Sequence, residues 1–245
     1  MITFIREDQY KPFSNQLNGS KLRLIAETVS KYHKIYNGLK IRANLYSHTL
    51  ANLSFVCKMF DVPLMCFLKD FETNIKNPLF RYYQAQYDVL FLPIEYYDRL
   101  VEYKPFNQRE LVPQQVVYDG IIEQVEKVPT NLDYFVIATG SCHTLNGILQ
   151  GFDKYNNHPN NIIIVSNKQL PVWLQKTKSN IFDYNIKEYY KLDYNQYIKY
   201  PFEMDDKFES KMWRFVKQYR PEILQMNTCF WITGNYNFLR NHDYQ

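Results

Sequence analysis

One stretch constrains this chain more than any other: Asp133-Tyr-Phe-Val-Ile-Ala-Thr-Gly-Ser-Cys-His-Thr-Leu-Asn-Gly-Ile-Leu-Gln-Gly-Phe152. Tyr134 to Ala138 is a short apolar run of the kind a strand shows when both its faces are covered. Gly140-Ser141-Cys142-His143-Thr144 then supplies one flexible residue and two hydroxyls where the chain turns. Leu145 to Phe152 resumes at helical spacing. Strand, tight turn and helix in that order place a helix N-terminus at the end of a buried strand. Its first backbone N–H groups and the positive end of its dipole suit a phosphate. The same pattern also serves as a plain structural turn, so a second segment has to decide.

The rest of the chain alternates in the same way. Strand-like runs at Ile2–Ile5, Leu39–Ala43, Leu64–Leu68, Val89–Ile94, Tyr134–Ala138, Ile162–Val165 and Thr228–Thr233 are separated by helix-like segments. The helices are expected at Lys21–Tyr36, Thr49–Phe60, Asn77–Gln86, Tyr118–Lys127, Leu145–Phe152 and Phe208–Tyr219. Such alternation predicts an α/β fold with mostly parallel sheets covered by helices. At 245 residues and 46% hydrophobic, the chain can bury a substantial core, in one large domain or two small lobes.

Composition narrows the function classes. A net charge of +4, with no block of like charges, neither demands nor excludes nucleic acid. The cysteines Cys57, Cys66, Cys142 and Cys229 lack the paired spacing of a zinc or redox site and read as buried free thiols in a reducing compartment. Cys142 stands apart because it sits in the proposed phosphate turn, where a helix N-terminus lowers a thiol's pKa. The five His show no ligand spacing, so no metal is expected. No signal peptide or membrane span is legible, which predicts a cytoplasmic protein with no membrane partner. The bias toward Asn, Lys, Tyr, Ile and Phe fits an AT-rich genome, such as that of a bacteriophage.

The second segment is Asn18-Gly-Ser-Lys-Leu-Arg-Leu24, followed by a helix, Ile41-Arg-Ala-Asn-Leu-Tyr-Ser-His-Thr49, another helix and Val62-Pro-Leu-Met-Cys-Phe-Leu68. With Ile2-Thr-Phe-Ile-Arg-Glu-Asp8 before it, and Gly140–Thr144 and Thr233-Gly234-Asn235 after it, this order resembles the fold-type II pyridoxal-phosphate (PLP) enzymes. These share the tryptophan synthase beta-subunit-like fold. The nearest resemblance is to the 1-aminocyclopropane-1-carboxylate deaminase and D-cysteine desulfhydrase family. That family has Gly-Gly-Asn-Lys-x-Arg-Lys-Leu, Ser-Asn-His-x-Arg, a Gly-Ser-Gly-Gly-Thr phosphate loop and a closing His-Thr-Gly-Gly. Gly19-Ser20-Lys21-Leu22-Arg23, Tyr46-Ser47-His48, Gly140–Thr144 and Thr233-Gly234-Asn235 keep the order while matching each motif in part. The departures are His143 for a loop glycine, Ser47 for the family Asn, Tyr46 for the family Ser, Pro113-Gln114-Gln115-Val116 for Pro-x-Gly-Gly-Ser, and Asn235 for the last glycine.

The resemblance implies two lobes with PLP in the cleft between them: residues 1–39 and 121–245 as the larger lobe, 40–120 as the smaller. It implies a deaminase or lyase acting at the α- or β-carbon of a small amino acid, and often a homodimer. Lys21 would bond the cofactor and move protons at substrate carbon; its structural alternative is a solvated first-turn residue behind a Ser20 cap. Ser47 would face the phenolic oxygen with His48 beside it, or else cap a helix. Gly140, Ser141, Cys142, His143 and Thr144 would hold the phosphate. Glu203, in Tyr200-Pro201-Phe202-Glu203, would lie near the pyridine nitrogen, or else belong to an exposed acidic loop. Thr233 and Gly234 would meet the ring nitrogen or only close the sheet. Two other readings stay open: a degenerate scaffold that binds without chemistry, and a phage enzyme that processes an amino-acid adduct on a modified DNA base.

Overall fold

The computed structural model describes residues 1–12, 17–106, 118–140, 142–166, 181–185, 200–205 and 209–239. Its contacts divide the chain into two units: Met1–Tyr10 with Asp119–Asn235, and Lys11–Tyr118 with Tyr236–Gln245. The expected boundary near residue 40 shifts, because the first helix, α1 (Gly19–Tyr32), packs on α2 (His48–Met59) and draws the segment from Lys11 into the second unit.

The first unit holds a five-stranded sheet. Its strands are β1 (Ile2–Arg6), β6 (Tyr134–Thr139), β7 (Asn161–Ser166), β8 (Ile181–Asn185) and β9 (Thr228–Ile232), in the order β1-β9-β6-β7-β8. Every pairing is parallel. The central strands are nearly continuous apolar runs because both their faces are covered. Val136, Ala138, Phe230 and Ile232 face Met212, Trp213 and Val216 of helix α7 (Glu209–Tyr219). Phe135 takes the opposite face, 5.1 Å from the ring of Phe152 in α6 (His143–Tyr155). Each fully buried side chain of this size contributes about 1.5–3 kcal/mol. Helix α5 (Asp119–Gln124) and the 3-10 turn after it pack on α6. Gly151 makes the close approach possible, since a Cβ there would come within 2.5 Å of the Val125 side chain.

The second unit holds a four-stranded parallel sheet in the order β4-β3-β2-β5. Its strands are β2 (Leu39–Arg42), β3 (Leu64–Leu68), β4 (Leu90–Pro93) and the two-residue β5 (Lys104–Pro105). Helices α1, α2 and α4 (Pro78–Tyr87) accompany it, with a short α3 (Phe71–Asn74) between them. Asn77 caps α4 by accepting from the Leu79 N–H at 3.0 Å, and Pro78 follows at the first helical position, where its missing N–H costs nothing. Met65 and Phe67 of β3 pack with Tyr97, which stands in a 3-10 turn.

The observed elements lie close to those expected. Helix α1 starts two residues early, so Ser20 is not its cap but a fully buried residue inside its first turn. The cap position belongs to Asn18, whose side chain makes no capping bond, and Gly19 enters the helix at φ 90°. That left-handed value favours glycine. Helix α6 starts at His143 rather than Leu145, because Cys142 turns the chain at φ 64°. The strands β5 and β8 and the short α3 were not expected from the sequence.

Candidate active site

In the first unit the chain leaves β6 toward β7 on one side and returns through α7 to place β9 on the other side of β6. The direction of winding therefore reverses between β6 and β9. A crevice forms beyond the carboxyl ends of strands at such a switch point, and open α/β sheets bind their ligands there. Ile137 pairs with Trp231, so both strands run out on the same edge, β6 into Gly140–Thr144 and β9 into Thr233 and Gly234.

The β6 turn is held internally by its own residues. The Cys142 N–H donates to Thr139 Oγ1 at 3.2 Å, and Cys142 packs its thiol inward, 1% exposed. The Cys142 side chain, at the N-cap position, makes no capping hydrogen bond to α6. His143 and Thr144 form that turn, half-buried and buried in that order, and Gly140 is half-buried. Ser141 lies outside the described residues.

At the end of β9, Thr233 directs both its backbone N–H (2.9 Å) and its hydroxyl to one oxygen, Oε1 of Glu209. Glu209 opens α7 and is fully buried, as is Asp205 just before it. Glu209 Oε2 has no hydrogen-bond partner among the described residues. Burial, and then the nearby Asp205, push the Glu209 carboxyl up to about 8 against the lowering effect of its hydrogen bonds. Gly234 is buried beside this pair.

Glu203 behaves differently from Glu209. It is exposed and accepts from Asn235 Nδ2 at 3.4 Å. The carboxylate bonded to Thr233 is Glu209, which sequence reading did not single out. No local pattern marks it, because the partners are 24 residues apart and meet only once α7 docks on the sheet.

The remaining sequence-derived residues lie in the second unit. Lys21 is the third residue of α1 and half-buried. Ser47 caps α2, its Oγ accepting from the Leu50 N–H at 3.4 Å. His48, buried, begins α2 and stacks on Tyr236 with ring centroids 4.0 Å apart and planes 18° apart. Tyr46 accepts from Asn77 Nδ2 at 3.0 Å. The segment 113–116 lies outside the described residues. Among the described residues no group of His, Cys, Asp and Glu is placed to hold a metal, and no helix is long and apolar enough to cross a membrane.

No family model matches this chain, and no curated protein matches it. Solved structures do. The chain is similar to a crystal structure of a homologue of ACC deaminase at TM-score 0.69 and 12% identity, over 99% of this chain and 87% of that one. It is similar to the processed form of threonine deaminase isoform 2 from Solanum lycopersicum at TM-score 0.61 and 12% identity, over 100% and 82%. A third similar structure is diaminopropionate ammonia lyase from Escherichia coli, in complex with an aminoacrylate-PLP azomethine reaction intermediate. There the TM-score is 0.58 at 10% identity, over 100% and 84%. The fold is that of the fold-type II PLP enzymes.

Proposed function

We propose that this chain is a PLP-dependent enzyme of the deaminase or lyase type, acting at the α- or β-carbon of a small amino acid or amino-acid-like group. The observation that carries this reading is the switch-point edge of the five-stranded sheet. There an uncapped helix start follows β6, and a threonine bonded twice to a buried carboxyl follows β9.

The residues present fit the parts of such a cofactor. A phosphate suits the first turn of α6, where the dipole and backbone N–H groups favour an anion and the Cys142 side chain makes no capping bond. A ring nitrogen suits Thr233, whose hydroxyl proton goes to Glu209 and leaves an oxygen lone pair to accept. Lys21 would supply an amine to hold the cofactor, and Ser47 would keep a hydroxyl proton to donate while its oxygen caps α2. PLP, when bound, withdraws electrons from the substrate α-carbon.

The chain's own residues do the rest. Lys21 takes and returns a proton at substrate carbon. Glu209, buried and bonded to Thr233, fixes the direction of the Thr233 hydroxyl proton and so leaves the hydroxyl oxygen as an acceptor. Glu203, exposed and paired with Asn235, takes no catalytic role in this proposal.

A second reading, a scaffold that binds without chemistry, is favoured by the structural use of the Ser47 oxygen and the Tyr46 hydroxyl. One experiment separates the two. Adding PLP to the purified protein should produce a visible absorption band, and borohydride followed by peptide mass mapping should fix the adduct to Lys21. Lys21→Ala should lose both signals completely. A wild-type protein with no band and no adduct leaves the scaffold reading standing.

A further inference from the structure

A buried polar network in the second unit has no part in the proposed chemistry, yet it is built around the segment that carries Lys21. The Tyr236 hydroxyl donates to the backbone carbonyl of Asn18, the residue that opens α1. The same hydroxyl accepts from Asn52 Nδ2 at 2.5 Å. Asn52 lies just past the first turn of α2, and the Tyr236 ring stacks on His48 at the start of that helix. Asn18, Asn52 and Tyr236 are 3%, 0% and 1% exposed. One side chain thus holds the beginnings of two helices.

The hydrogen-bond economy fixes the direction of the network. A tyrosine hydroxyl has one proton. Donated to Asn18, that proton obliges the oxygen to accept from the Asn52 amide nitrogen. The Asn52 carboxamide oxygen is then left buried, with no hydrogen-bond partner among the described residues. An unmet buried acceptor is destabilising, and an apolar side chain of the same size would avoid that cost. The network is therefore a poor device for stability alone. At the start of α1 the Asn18 side chain makes no capping bond, and Gly19 sits at φ 90° two residues before Lys21.

We infer that Tyr236 is a positioning residue for Lys21, clamping the carbonyl that opens α1 to Asn52 of α2 and so fixing the direction in which Lys21 leaves its helix. The inference rests on the role proposed for Lys21, and the test keeps the two apart.

Tyr236→Phe retains the ring on His48 and removes only the hydroxyl. Two readouts are taken on folded protein, as judged by circular dichroism. The first is the rate at which the borohydride-trapped PLP adduct forms on Lys21. The second needs no cofactor: reductive methylation with formaldehyde across a pH series, read as the labelling of Lys21 relative to Lys31 on the same helix. The expected result is an adduct rate lower by about tenfold or more, the scale on which a small misplacement acts. The Lys21-to-Lys31 ratio should shift, with Lys31 itself unchanged. An adduct rate and a ratio both equal to wild type overturn the inference. If the wild-type protein takes no PLP, the proposed cofactor role fails, and the methylation ratio alone then decides: a shift in Tyr236→Phe supports the clamp, and no shift overturns it. Should Tyr236→Phe not fold, Asn52→Ser is measured in the same way, and unchanged Lys21 reactivity there overturns the clamp.

Discussion

Two helices, α2 and α6, each begin beyond the carboxyl end of a parallel strand, and they treat their first turn in opposite ways. Helix α2 is capped from within, the Ser47 oxygen accepting from Leu50. Helix α6 follows a cysteine in the left-handed region whose side chain makes no capping bond. A sulfur atom accepts hydrogen bonds weakly, so Cys142 is a poor cap by chemistry as well as by geometry. A capped terminus meets its own needs, whereas an uncapped one has electrostatic attraction to spare for an anion. The contrast separates a turn built to hold the fold from one suited to hold a ligand.

The carboxyl bonded to Thr233 gives the largest expected effect. An acid whose folded pKa lies above its unfolded value holds its proton more tightly when folded. Glu209, raised from 4.5 to about 8, therefore lends stability at low pH that is lost as pH rises through about 8. The slope reaches at most about 1.4 kcal/mol per pH unit for one proton. Urea unfolding from about pH 5 to about pH 8 should show stability falling, and Glu209→Gln should flatten that fall. An identical slope in the variant would mean that Glu209 titrates normally.

Next in size is a substitution that fills the uncapped end with charge. His143→Glu places a carboxylate in the first turn of α6, and affinity for PLP or inorganic phosphate should fall by about tenfold or more through repulsion of the anion. Thermal stability should hold or rise, since a carboxylate there gains about 0.3–1 kcal/mol from the dipole. His143→Gln, similar in size and neutral, should keep the affinity. Equal affinity in His143→Glu would remove the phosphate from this turn.

The smallest effect falls on the capped helix. Ser47→Ala should cost about 0.5–1 kcal/mol, because the bond it removes is long and the cap serves one N–H. A loss several times larger would mean that Ser47 does more for the fold than satisfy one N–H of α2.

How much of this was legible in the sequence depends on whether partners lie close along the chain. The β6 turn and α6 could be read because a both-faces-buried strand, a glycine and a helical run follow one another directly. Helix α1 and Lys21 were placed to within two residues for the same reason. Strand β8 escaped notice because Asp183 and Asn185 interrupt its short apolar run. Strand β5 escaped because it is only two residues long. Glu209 and Tyr236 escaped for a different reason. Their partners lie 24 and up to 218 residues away in sequence, and no periodicity records a pairing that packing alone creates. Glu203 drew attention because it stood in the right kind of sequence, but burial and a partner at Thr233 belong to the carboxylate six residues later.

The strand order has a consequence for the life of the chain as it is made. In the five-stranded sheet β9 lies between β1 and β6, pairing Thr228 with Ile2 on one side and Tyr134 on the other. The ribosome thus releases β1 well before β9, its one neighbour among the described strands, which comes more than two hundred residues later, so the sheet cannot close while the chain is growing. Until then β1 is unpaired and β6 exposes a bare edge, both of them apolar templates for the wrong partner. A translational pause or a truncation ahead of Thr228 would leave the nascent protein with its central seam open, and chaperones would be drawn to that seam.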